Sequence, residues 1–205
     1  MSGSRLKIAA LFYGFVALSA AAWAFLRDRE NPQLFYHPEG LMTEQSLLVQ
    51  ILVGGAAGVA FGMGIARLSR FLVYRFEWAR GLHIEFRGLL GPLRSSEILV
   101  FALLSALGEE LLFRGAIQSS LGIVISSLLF GVLHIGPSRK FVPWPFQAVA
   151  MGFAFGGLFW LTGNLAAPVM AHFTINYENL HFINKYDPSL QLPRSFAEGN
   201  RDSIR

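Results

Sequence analysis

The sequence predicts an all-α fold, a polytopic transmembrane helical bundle of about six spans with its active site inside the membrane. Two observations carry that prediction. Of the 205 residues, 53% are hydrophobic and only 15% charged, against roughly 25% charged residues in soluble domains. The apolar residues also fall into runs long enough to cross a bilayer core of about 30 Å, which takes about 20 residues of helix.

Leu6 to Leu26, held between Arg5 and Arg27, forms the first span, and Leu47 to Ala66, ended by Arg67, forms the second. The third, Ile98 to Gln118, is interrupted by Glu109, Glu110 and Arg114, and the short fourth, Leu121 to Ile135, holds His134. Trp144 to Leu161 is the fifth; Leu165 to Ile183, with His172, Asn176 and Glu178, is the sixth. Residues 1–183 thus read as one transmembrane domain and 184–205 as a polar cytoplasmic tail. The first run also fits a cleavable signal with Ala20-Ala21-Ala22 at its end, but its length and the Arg27-Asp28-Arg29-Glu30 that follows suit a retained anchor. Pro168 predicts a kink in the sixth helix. Gly54, Gly58 and Gly62, and again Gly152 and Gly156, recur every four residues, which predicts close helix packing.

Lys and Arg fall on one side of this plan. Arg5 and Lys7 precede the first span, six arginines from Arg67 to Arg94 separate the second from the third, and Arg139 and Lys140 separate the fourth from the fifth. Lys185, Arg194, Arg201 and Arg205 follow the sixth, whereas the other side holds only Arg27 and Arg29 among acids. Short basic loops stay cytoplasmic, so both termini are expected there, and a multi-pass place in a bacterial inner membrane suits the small size. The basic residues alternate with aromatics, which suits lipid phosphate and argues against nucleic acid. Leu68 to Trp78 in particular reads as a segment lying in the interface. With no cysteine, a thiol nucleophile, disulfides and Cys-ligated zinc are excluded.

Ionisable groups at bilayer depth cost about 2.5–3.5 kcal/mol on insertion scales and point to function. Glu110 and Arg114 stand four apart and can pair on one helix face, which leaves Glu109, about 100° around the axis, free to face a cavity. Phe130 precedes His134 by one turn, and His172 and Asn176 repeat that spacing in the last span. Any one of these is explained as hydrogen-bonding glue between helices; the set, spread over three helices, points to chemistry. A shielded carboxylate activates water, one imidazole holds that water, and a His–Asn pair stabilises an oxyanion. A zinc site built on the histidines and a glutamate is a less favoured alternative, since the compact His-Glu-x-x-His signature is absent. His37 and His83 are expected in solvated loops, and Glu178 and His181 as interfacial anchors.

Glu109-Glu110 with Arg114, Phe130 with His134, and His172 with Asn176 follow one another in an order that resembles the CAAX protease and bacteriocin-processing (CPBP) family of glutamic-type intramembrane proteases. The likeness covers about residues 97–180. It implies that Glu109 is the catalytic base, that His134 positions water, that His172 and Asn176 form the oxyanion site, and that Glu110, Arg114 and Phe130 support them. It also implies a metal-free peptidase without cofactor, acting on a membrane-anchored protein or peptide. Among bacterial relatives the sequence is similar to the myxosortase-like group, which processes C-terminal sorting tails. The alternatives are a non-catalytic immunity or partner-binding protein of the same fold, and a small proton-coupled transporter. Oligomeric state and substrate identity are not legible.

Overall fold

A computed structural model of the protein describes residues 2–37 and 39–191. Among these all the regular elements are helices, joined by turns and loops, with an isolated antiparallel bridge between Tyr36 and Asn164. Four helices are long and apolar enough to cross a membrane, Ser4–Arg27, Leu47–Arg75, Ser95–Val132 and Arg139–Thr162, so this is a multi-pass membrane protein.

The first helix, α1 (Ser2–Arg27), turns Ala9, Ala20 and Ala24 inward with the half-buried Tyr13, and exposes Ile8, Leu11, Phe12, Phe15 and Leu18. Such an apolar outer face is what lipid solvates. Helix α2 (Leu47–Arg75) is capped by Ser46, whose hydroxyl accepts the Val49 N–H at 3.4 Å. Its small residues Gly54, Gly58, Gly62 and Ala66 are buried, and the glycines receive the last long helix, α7 (Ala166–Lys185). A Cβ on Gly58 would stand 2.2 Å from the Ala167 carbonyl oxygen, and one on Gly62 would stand 2.7 Å from Thr174 Cβ. Only glycine lets these backbones meet.

Two expectations are corrected here. Residues from Leu68 to Arg75 continue α2 instead of lying in the interface; the chain leaves the helix at Phe76, and the amphipathic segment is α3 (Glu77–Leu90). Helix α4 (Ser95–Glu110) passes into a π-helical stretch, Leu111–Gln118, and then into α5 (Ser119–Val132), in which Gly122 leaves the helical conformation at φ 83°. The chain turns back there: Ser126 Oγ donates to Phe113 O at 2.7 Å and the Phe130 ring meets that of Phe113 at 4.9 Å, so the expected third and fourth spans are two helices packed side by side. Pro168 causes no kink, because α7 starts at Ala166 and a proline in the first turn displaces no helical hydrogen bond. Helix α7 is also too polar to count among the apolar spans; α2, α4 and α6 (Pro143–Thr162) surround it, so protein packs around its polar groups.

The wide turn of a π-helix and the bend at Gly122 release carbonyls from the ordinary ladder. Ser119 Oγ donates to Arg114 O at 3.1 Å and Ser120 Oγ to Ala116 O at 2.7 Å, while Arg27 reaches from α1 to Gly115 O and Ala116 O at 3.4 and 3.3 Å.

The basic segments gather at one end of the bundle. Arg5 donates to Leu90 O at 3.2 Å, Lys140 pairs with Glu85 at 3.1 Å, and Arg87 holds Ile183 O and Asn184 O at 2.7 and 2.8 Å. The Asn184 carboxamide exchanges two hydrogen bonds with the backbone of Leu93, at 3.0 and 2.9 Å, and so ties the end of α7 to the approach to α4. Asn184 and Lys185, expected to open the tail, complete α7 instead, and Pro188–Gln191 forms a short 3-10 turn. Residues 192–205, with Arg194, Arg201 and Arg205, lie outside the described residues.

Candidate active site

Glu109 and Glu110 end α4 on different faces, as consecutive helical residues must. Glu110 points into the protein and is wholly buried, as is Arg114. Its Oε1 accepts from Arg114 Nη1 at 3.0 Å and from His172 Nδ1 at 2.7 Å. The guanidinium gives a further hydrogen bond to Gly152 O at 3.1 Å and lies 4.6 Å from the ring centre of Phe130 and 5.2 Å from that of Phe155. This buried pair is thus compensated by hydrogen bonds and by aromatic faces that attract cations. Phe130 also packs 4.4 Å from the His134 ring, and Phe155 stacks on His172 at 5.1 Å.

Glu109 faces the other way, into a cavity of about 580 Å³ that Tyr13, His134, His172 and Asn176 also line. Its Oε2 lies 3.7 Å from His134 Nε2 and 4.0 Å from His172 Nε2, too long for direct hydrogen bonds and suited to a bridging water. The second nitrogen of each ring is held. His134 sits in the turn just beyond α5, and its Nδ1 is 2.6 Å from Phe130 O, an atom that only accepts, so Nδ1 carries the proton. His172 Nδ1 faces the Glu110 carboxylate in the same way. With Nδ1 of each ring engaged, Nε2 is the atom that both turn toward Glu109.

Asn176, one turn after His172, donates to Ser105 Oγ at 2.9 Å. Every residue expected at the site is thus brought to one cavity or to the shell directly beneath it. Tyr13, Ser105, Trp144 and Phe155 join them unforeseen. The Tyr13 hydroxyl meets Glu109 and Ser105, and Trp144 packs edge-on against His134 at 5.1 Å. Ser105 stands four residues before Glu109, a spacing that points to it; nothing in the sequence singles out Phe155 among its apolar neighbours.

Among the other polar residues, one departs from expectation. His83 is no loop residue: it is buried in α3, lines the cavity and has Nε2 2.9 Å from Tyr186 O. Glu178 forms an ion pair with Arg70, and His181 packs edge-on against Tyr177 at 4.6 Å. Among the described residues no group of three or more His, Cys, Asp or Glu is arranged to hold a metal ion.

Fold and site together define a class: a multi-pass helical membrane protein whose polar residues converge, within the bundle, on one carboxylate. Residues 92–177 match the family described as type II CAAX prenyl endopeptidase Rce1-like. Over 79 residues, 38% of this chain, the sequence is 38% identical to the Uncharacterized protein YpbD of Bacillus subtilis (strain 168). That match spans 41% of the relative's length. No solved structure gives a significant match.

Proposed function

We propose that this chain is an intramembrane endopeptidase that hydrolyses a peptide bond in a membrane-tethered protein segment, with Glu109 as the base. The observation that carries this reading is the convergence of two imidazole Nε2 atoms on the carboxylate of Glu109, at 3.7 and 4.0 Å. A water held there donates one proton to Glu109 and is oriented by the lone pair of His134. As its oxygen attacks the scissile carbonyl carbon, Glu109 takes the proton. The new oxyanion accepts hydrogen bonds from the Asn176 carboxamide and from His172, protonated at Nε2 and balanced by Glu110. Glu109 then returns the proton to the leaving nitrogen as the C–N bond breaks. No step requires a metal.

The cavity supports a substrate that is apolar along the stretch it inserts. Among the described residues its lining includes no Lys, Arg or Asp, and Leu68, Leu72, Leu82, Phe86, Trp144 and Met151 form much of its wall. By the positive-inside tendency the basic end of the bundle, where α3 covers the cavity, faces the cytoplasm, with both termini there.

The test compares membranes from cells carrying wild type or Glu109→Gln at equal protein levels, with C-termini mapped by mass spectrometry. Loss of a set of new C-termini in the variant is the expected result; identical maps would remove the protease reading.

A further inference from the structure

We infer that Tyr13 of α1 is a positioning residue of this centre, its hydroxyl donating to the Glu109 carboxylate and holding it toward the two imidazoles. The inference rests on the reading of Glu109 as base. It adds a component from outside residues 92–177, the stretch that matches the family.

Three observations carry it. First, the inward face of α1 is otherwise small, with Ala9, Ala20 and Ala24 buried against the bundle, so a tyrosine there brings a polar group that packing does not require. Second, its approach is built into α4. A Cβ on Gly108, the residue before Glu109, would lie 3.1 Å from Tyr13 Cδ1 and 3.3 Å from the Tyr13 carbonyl oxygen; glycine lets α1 close on the turn that carries the acid. Third, the phenol reaches two polar groups of the site at once. It meets Glu109 and Ser105, and Ser105 accepts from Asn176, so α1, α4 and α7 are joined through Tyr13, Ser105 and Asn176. Glu109 Oε2 has no hydrogen-bond partner of its own among the described residues, and a carboxylate without such a tether samples several rotamers. A phenolic donor restricts it without placing another charge in the cavity.

The test uses the full chain in lipid vesicles, as wild type, Tyr13→Phe, Glu109→Gln, and Phe12→Leu as a lipid-facing control. Infrared difference spectra across a pH titration identify the Glu109 carboxylate band as the one missing from Glu109→Gln. Cleavage is followed on two quenched fluorescent probes, a prenylated peptide ending in Cys-a-a-X and an apolar bilayer-spanning peptide. In Tyr13→Phe we expect the Glu109 band to move and kcat to fall about tenfold to hundredfold with KM unchanged, the size of one lost hydrogen bond to a charged group. Phe12→Leu should change neither. An unmoved band, or wild-type kcat in Tyr13→Phe while Glu109→Gln is inactive, overturns the inference and leaves the protease reading standing. Wild-type cleavage by Glu109→Gln overturns that reading, and this inference falls with it.

Discussion

His172 donates through Nδ1 to Glu110 at 2.7 Å, so the acid that neutralises Arg114 also sets which nitrogen of the imidazole faces the cavity. The two adjacent glutamates therefore have separate duties. Glu110 builds the shell and Glu109 meets the cavity, and substitutions at the two should fail in different ways.

Replacing Glu110 with Gln leaves the wholly buried Arg114 guanidinium without its counter-charge, a change that costs about 3–5 kcal/mol for buried pairs. We expect Glu110→Gln to lose its monodisperse folded peak on fluorescence-detected size-exclusion chromatography. Glu109→Gln, whose side chain borders the cavity, should keep that peak while cleavage stops.

His134 offers a finer separation. In His134→Asn the carboxamide N–H replaces the Nδ1 donor to Phe130 O but supplies no lone pair where Nε2 stood. Cleavage should drop about 100-fold or more, within the range of a lost acid–base group, with the thermal unfolding midpoint near wild type. His134→Ala should lower both.

Packing between α2 and α7 is tight enough to test with one methyl group. Gly58→Ala places its Cβ against the Ala167 carbonyl oxygen, and overpacking of this kind costs about 1–3 kcal/mol. The prediction is a lower unfolding midpoint in detergent, whereas Gly64→Ala, which has open space at the Cβ position, should be neutral.

Stability should also depend on pH through His83 in α3, outside the spanning helices. Burial, with Arg87 nearby, pushes its pKa below the usual histidine value, against the smaller opposing pull of the Tyr186 carbonyl and Asp187. The unfolded chain therefore takes up a proton near pH 6.5 that the folded chain resists. Stability from this site is full above that pH and declines as pH falls toward the folded-state pKa. Unfolding midpoints between about pH 5 and 8 should slope in wild type, and the slope should flatten in His83→Gln.

Removal of divalent metal gives a direct check on the proposed water chemistry. Purification through a chelator and assay in its presence should leave cleavage unchanged; loss of activity restored by zinc would assign the Nε2 lone pairs to a metal instead.

The centre was legible where chemistry follows helical spacing. Glu110 with Arg114 and His172 with Asn176 are four-residue relations, and polar groups in apolar runs announce themselves. Relations across the bundle were not. Nothing local tells which helix brings a tyrosine to Glu109, and Phe130 reads as a spacing marker until Arg114 is seen over its ring. The number of helices was legible as well: Gly122 breaks the run between the expected third and fourth spans, and α7 fills the place of the sixth, although its polar groups pack on protein instead of lipid. His83 was misassigned because arginines surround it in sequence while its own face of α3 turns to the cavity.

Arg27 bonds to carbonyls 88 and 89 residues further along the chain, which has a consequence for biogenesis. On the ribosome α1 enters the bilayer well before the stretch that accepts its arginine or its tyrosine exists. Until α4 and the π-helical segment are inserted, Tyr13 lacks Glu109, and Arg27 has only the Gln33 carbonyl of its partners in the finished bundle. Completion of the cavity is thus a late event in synthesis, and a nascent chain cut short before Gly115 would hold every group of the first helix and none of its purpose.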